Sequence, residues 1–217
     1  MMDRRRFLMG VAAASGAMAV GSVGVPAFAD EVSKSLAEIT KARASVKTLV
    51  GRFSQERVIG LLATAVKSEG EMSLVLPDRL RWELLPPDAI TYFITPEGFA
   101  YSTPSGGGGV GKGAAGRFGA VLSDLLILLG GDLEKLRGRY DLSVPSRKDG
   151  IELVAIPKAE DVKKHVKSLS MSAGTELWSV RRIVIEEKSG DRSVIAFGKV
   201  ERDVKVDPAK MRPPKQG

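Results

Sequence analysis

The 217-residue chain has no cysteine and a single histidine. Without cysteine no disulfide can staple the fold, so its stability must come from burial alone. With one imidazole, neither a Cys–His nucleophile pair nor a histidine-rich zinc site can be assembled. Aromatic residues make up 6% of the chain, too few to interleave with cations as a nucleic-acid surface requires. The net charge of +7 arises from Lys and Arg that alternate with Asp and Glu instead of clustering. It reads as solubility, and no nucleic-acid partner is expected. Long apolar runs are also scarce. The run from Met9 to Val25 is broken by Gly10, Gly16, Gly21 and Gly24 and ends at Pro26, whereas a spanning helix needs about 20 strongly apolar residues.

That weak run has a clear context. Asp3-Arg4-Arg5-Arg6-Phe7-Leu8 precedes it, and Ala27-Phe28-Ala29 with Asp30 follows it. A basic start, an uncharged middle and a small-x-small end are the three parts of a secretory signal. Adjacent arginines before Phe-Leu match the twin-arginine type. Residues 1–29 are therefore expected to be a signal peptide cut between Ala29 and Asp30, and 30–217 to form one domain. The expected location is the periplasm, away from ATP and NAD.

Beyond Asp30 the apolar positions Val32, Leu36, Ile39, Val46, Leu49 and Val50 recur at three- and four-residue spacing. This predicts an amphipathic helix over 30–50 that ends at Gly51. Strands are then expected at Phe53–Gln55, Leu61–Lys67, Glu71–Leu76, Arg79–Leu84 and Ala89–Thr95, with Pro77-Asp78, Pro86-Pro87-Asp88 and Pro96-Glu97-Gly98 as turns. Along Arg79–Leu84, Leu80, Trp82 and Leu84 share one face, while Arg79, Arg81 and Glu83 share the other. The same half-buried pattern recurs at Leu169/Met171, Ile183/Ile185 and Ile195/Phe197, with a tight turn at Gly190-Asp191. Strands at Tyr140–Val144 and Ile151–Ile156 complete the set, and the Pro/Lys-rich tail from Asp207 to Gly217 reads as loose.

Between the two groups of strands, Ser105–Gly116 is mostly glycine and is expected to be a flexible loop. Phe118–Leu129 follows as a helix apolar over so much of its circumference that it must be enclosed or face something apolar. Gly106 to Gly113 superficially fits a phosphate-binding loop, with Lys112 in place. Gly113 lacks the hydroxyl that would hold magnesium, however, and the preceding Tyr101-Ser102-Thr103-Pro104 is no buried apolar strand. His165, flanked by Lys163, Lys164 and Lys167, is expected to be exposed at the start of a strand and idle. Glu186-Glu187 is expected on a solvated strand end, and no carboxylate pair stands out as a hydrolytic couple. The expectation is a protein that is not an enzyme and holds no cofactor or metal. The pattern leaves two architectures: a sheet on helices with an ordinary core, or an incomplete barrel with a partly open interior under helices.

Leu76-Pro77-Asp78-Arg79-Leu80-Arg81-Trp82-Glu83 resembles the Arg-Pro-x-x-Phe-Arg-Trp-Glu segment of the LolA family, periplasmic carriers of outer-membrane lipoproteins. Other features fall in the family's order: Gly51-Arg52-Phe53-Ser54-Gln55 after the first helix, Pro157-Lys158, Ser189-Gly190-Asp191-Arg192-Ser193 before an Ile-x-Phe strand, and Asp207-Pro208-Ala209-Lys210-Met211 before Pro213-Pro214. The resemblance covers Asp30 to the C-terminus. It implies an α+β fold, an unclosed antiparallel β-barrel (a curved half-barrel sheet) covered by lid helices, whose apolar interior takes lipid chains. Leu80 and Trp82 match lining positions of the family. Patterning adds Phe53, Met72, Leu74, Leu125, Leu128, Leu129, Met171, Ile183, Ile185 and Phe197. The partners implied are lipoprotein acyl chains, an inner-membrane lipoprotein-releasing ABC transporter and an outer-membrane lipoprotein acceptor, with the carrier a monomer. The chain departs from the family where Leu76 replaces the arginine tied to lid closure, Glu97 replaces an Asp and Met211 replaces a Phe. A sensing or scaffold module of the same fold is the alternative.

Overall fold

The computed structural model describes residues 25–61, 64–111, 124–130 and 132–213. Helix α1 (Val25–Arg43) leads into strands β1 (Thr48–Ile59), β2 (Thr64–Val75), β3 (Arg79–Leu84), β4 (Ile90–Thr95), β5 (Gly98–Thr103) and β6 (Gly106–Gly111). Helices α2 (124–130) and α3 (Glu134–Arg137) follow. The chain then forms β7 (Tyr140–Ser146), β8 (Glu152–Pro157), helix α4 (Glu160–Lys163), β9 (Val166–Ala173), β10 (Val180–Glu187) and β11 (Arg192–Arg202). All eleven strands lie in one antiparallel sheet of order β6-β5-β4-β3-β2-β1-β11-β10-β9-β8-β7. Two meanders are thus joined where β1 pairs with β11, and β6 and β7 remain as separate edges. The fold is an α+β, unclosed antiparallel barrel.

Strand alternation builds its inner face. Phe53, Met72, Leu74, Leu80 and Trp82 from the first meander are buried in one cluster with Leu153, Leu169, Met171, Ile183, Ile185 and Ile195 from the second. Val32, Leu36 and Ile39 of α1 and Leu125, Leu128 and Leu129 of α2 complete the same cluster, so the helices cover the sheet. Burial of each such side chain is worth about 1.5–3 kcal/mol.

The structure differs from the sequence expectation at several places. The first helix stops at Arg43, and Gly51 lies inside β1. Leu49 and Val50 satisfy a helical period and a strand alternation equally well, and cross-strand pairing with β2 and β11 decides between them. The segments expected as separate strands at 53–55 and 61–67 belong to one long β1–β2 hairpin, with Leu61 in its turn. Within the expected glycine loop, Gly106–Gly111 is a strand paired residue for residue with β5. Backbone hydrogen bonds need no side chain, and the Tyr101 ring occupies the space beside Gly108. Residues 112–116 of that loop and 118–123 of the expected oily helix lie outside the described residues, as do 1–24 of the leader. The expected cut after Ala29 falls within α1. The tail folds back far enough to bury Met211, and Glu187 is largely covered and paired with Arg57.

The centre of the inner face is an aromatic stack. Phe53 and Trp82 lie with ring centroids 3.8 Å apart at 26°, and Phe197 approaches both at 6.2 and 6.0 Å. Gly70 of β2 lies beside the stack, opposite Phe53 on β1 and Leu84 on β3. A Cβ at Gly70 would overlap the Phe53 ring and the Glu83 carbonyl oxygen. Gly70→Ala is expected to cost about 1–3 kcal/mol by overpacking. Gly198→Ala, whose Cβ would meet nothing nearer than 3.6 Å, should stay within about 0.5 kcal/mol of the parent. Equilibrium urea unfolding of both variants checks this, and equal stability of the two would remove the close-approach role of Gly70.

Candidate functional site

On four neighbouring strands the inward positions change from apolar to polar toward the same end of the sheet. Along β1 the series is Phe53, Gln55, Arg57. Along β2 it runs Met72, Gly70, Ser68, along β10 Ile183, Ile185, Glu187, and along β11 Ile195, Ser193. Register aligns the changes, since Arg57 faces Ser193 and Gln55 faces Ile195. At this end the core stops filling and a cavity of about 270 Å³ opens. Its apolar wall is Val66, Trp82, Leu84, Ile90, Tyr92, Val166, Ile185 and Ile195, with Leu125 of α2 above. Its rim carries Gln55, Arg57, Ser68, Asp88, His165 and Glu187.

The rim is electrostatically fixed on one side. Arg57 Nη2 lies 3.1 Å from Glu187 Oε1 and 2.8 Å from Asp191 Oδ2, and both acids are mostly covered. Burial, reinforced by the charge of Asp88, pushes the Tyr92 hydroxyl above its ordinary value, so it stays neutral. Among the described residues no three His, Asp or Glu side chains are grouped to hold a metal ion. A pocket with an apolar wall and a polar mouth suits an amphiphile, chain inward and head at the rim.

Helix α2 is tied at both ends of its described span. Toward its C-terminus, Arg43 Nη1 donates to the Leu128 carbonyl at 2.7 Å and Arg43 Nε donates to the Trp178 carbonyl at 3.1 Å. Leu128 carries one of the carbonyls that a helix leaves without an internal partner. Arg43 is 4% exposed, and burial lowers its pKa to about 10. Leu76, where the resemblance predicts a lid-closing arginine, instead places an apolar side chain against Gly130. At the other end, the buried Asp124 carboxylate accepts a hydrogen bond from the Tyr140 hydroxyl and pairs with Arg139 Nε at 3.2 Å.

No protein-family model matches the chain, and no curated protein matches it in sequence. Solved structures do match. An uncharacterized conserved protein from Thermus thermophilus aligns with a TM-score of 0.53 at 11% identity, covering 85% of this chain and 95% of that one. MucB aligns with a TM-score of 0.51 at 14% identity, covering 86% of this chain and 64% of MucB; the chain therefore spans less than two thirds of MucB's length. A LolA superfamily protein from Nitrosomonas europaea aligns with a TM-score of 0.46 at 10% identity, covering 83% of this chain and 97% of that protein. At these identities the first two likenesses show a shared fold and nothing finer.

Of the side chains expected to line a cavity, Trp82, Leu125 and Ile185 do so. Phe53, Met72, Leu74, Leu80, Leu128, Leu129, Met171 and Ile183 lie in the packed cluster behind it, and the half-buried Phe197 packs against that cluster. Sequence reading did not find Leu84, Ile90, Tyr92, Val166 and Ile195 in the wall, or the polar rim. The rim pairs are 130 and 134 residues apart in the chain, which no local pattern encodes. The fading of each inward series into polar residues was the available signal. His165 is exposed just before β9, and it also stands on the rim.

Two outcomes follow for the cover. Arg43→Met removes two charge-assisted hydrogen bonds worth about 1.5–3 kcal/mol each, yet substitution of a buried charge by an apolar side chain is often neutral for the fold as a whole. Hydrogen exchange of the amides in 124–130 should therefore speed up about tenfold or more while the overall unfolding midpoint changes little. Uniform loss of protection across the sheet would assign Arg43 to the global core instead. Burial raises the Asp124 carboxyl above its ordinary value, against the lowering by Tyr140 and Arg139. The folded chain then binds this proton more tightly than the unfolded one. The group's favourable contribution is full below the usual carboxylate value of about 4 and is lost as pH rises through the raised value. Parent stability should fall relative to Asp124→Asn as pH rises from about 4 to about 7, and parallel profiles would refute it.

Proposed function

We propose that the protein is an exported lipid-binding module that takes acyl chains of lipoproteins into the cavity beneath α2. The observation that carries this is the cavity itself: apolar wall, polar mouth, and a helical cover fixed by a few polar ties. The resemblance of Leu76–Glu83 and the later motifs to the LolA family supports lipoprotein chains as the cargo. Each buried methylene is worth about 0.8 kcal/mol, so a chain passing through water needs an enclosed apolar path. In the finer reading the protein is a monomeric periplasmic carrier, exported by the twin-arginine route. It is loaded by an inner-membrane lipoprotein-releasing ABC transporter and relieved by an outer-membrane acceptor, without chemistry or a cofactor of its own. Replacement of the family's lid arginine by Leu76 favours one second reading, a sensing or scaffold module that binds the same chains but does not shuttle them.

Two measurements test this. A fluorescent fatty-acyl probe should bind the mature protein, and Leu84→Glu should weaken that binding about tenfold or more by setting a charge against the chain. Arg52→Gln, on a side chain 78% exposed, should leave it unchanged. Equal binding by a folded Leu84→Glu protein would sink the cavity assignment. Mixed with inner-membrane vesicles and the release machinery, the mature protein should bring a lipoprotein into a soluble complex. Probe binding with every lipoprotein left in the vesicles would select the sensor.

A further inference from the structure

The β1–β2 hairpin ends beside the cavity mouth, and its turn is unlike the rest of the surface. From Val58 to Val66 the chain carries no charged residue, although 27% of all residues are charged. Leu61 is 92% exposed and Val66 43% exposed, two of five large apolar side chains so exposed among the described residues. A scattered apolar residue needs no explanation, but these two share one hairpin, and Val66 also lines the cavity. Both apolar side chains therefore lie at the end of the sheet where the mouth opens.

The turn is braced. Gly60 N donates to Asp191 Oδ1 at 3.2 Å, and a Cβ at Gly60 would overlap the Gly190 carbonyl. The hairpin thus packs backbone to backbone against the β10–β11 turn, which carries Lys188. The Lys188 amide donates to the carbonyl of the rim residue His165 at 2.8 Å, which places the backbones of Lys188 and Lys164 next to the mouth. Both lysines are exposed, and neither forms an ion pair among the described residues.

We propose that this end of the protein seats the cavity mouth on an anionic phospholipid bilayer. Leu61 enters the acyl layer, and Lys164 and Lys188 lie among the headgroup phosphates. One leucine and two lysines give shallow, reversible attachment rather than anchoring, which suits a protein that must leave again. The proposal rests on the lipid-binding reading of the cavity: with the mouth pressed to the bilayer, a chain passes along Val66 between membrane and cavity without crossing open water.

Flotation of the mature protein with vesicles of phosphatidylglycerol and phosphatidylethanolamine tests the seat. The parent should float, and Leu61→Asp should bind about tenfold less, the effect of one lost apolar contact. Lys188→Glu should weaken binding to these vesicles, and neutral phosphatidylcholine vesicles should retain little of the parent. The acyl probe in solution should bind Leu61→Asp within about twofold of the parent, because Leu61 lies outside the cavity wall. Equal flotation of parent and Leu61→Asp, or no flotation of either, overturns the proposal. Attachment only to native envelope vesicles, abolished by protease shaving, also overturns it and points to a protein receptor. Leu61-dependent flotation without probe binding keeps the seat and removes the acyl cavity instead.

Discussion

Everything in this fold depends on one apolar surface that the sheet cannot cover by itself. Among the described residues the eleven strands stop at two edges, β6 and β7, and the inner face is not closed by further pairing. At about 25 cal/mol per Å² of apolar area, leaving that face wet would remove the main source of stability in a chain without disulfides. Helices α1 and α2 therefore belong to the core: Leu36, Ile39, Leu125, Leu128 and Leu129 share one cluster with Phe53, Trp82 and Ile183. Among the described residues, the cavity occurs beside α2 where the inward strand positions turn polar.

How the cover is held matters as much as what it buries. A purely apolar lid opens only by exposing all of its area to water. Here the lid's C-terminal end is tied by a buried guanidinium, one of whose nitrogens, Arg43 Nη2, has no partner among the described residues. Burying that charge is costly, so the penalty offsets part of what the two hydrogen bonds contribute. Asp124 repeats the device at the other end, because burial raises its carboxyl even though Tyr140 and Arg139 both favour the charge. Polar ties of this kind select one geometry for the helix, and the cost of burying their charges limits how much they add to its stability.

Local pattern carried the strands well and the site poorly. Arg79–Leu84 alternates so cleanly that its ends, its faces and its inward Trp82 were legible. The order of the motifs foretold a half-barrel under helices. Gly106–Gly111 misled because glycine signals freedom of the backbone, whereas pairing with β5 supplies the order from outside the segment. The helix stop at Arg43 misled because Leu49 and Val50 fit two periods. Most expected lining residues proved to be packed: apolar patterning marks which face is buried but not where burial ends. The mouth is defined by Arg57, Glu187 and Asp191, which meet only through the pairing of the first strand with the last.

The size of the closed cavity limits how such a site could work. At about 270 Å³ it is at or below the roughly 300–1,000 Å³ of typical small-molecule sites. On the proposed function, one chain segment would fit with α2 in place, and a cargo with several acyl chains would have to displace the helix. Its apparent affinity then equals its affinity for the open form multiplied by the fraction of molecules that are open. On the proposed function, the strength of the ties at Arg43 and Asp124 would therefore tune binding without altering a single wall residue. If those ties were much stronger, lipid would not be admitted; if they were much weaker, the apolar wall would be wet whenever the cavity was empty.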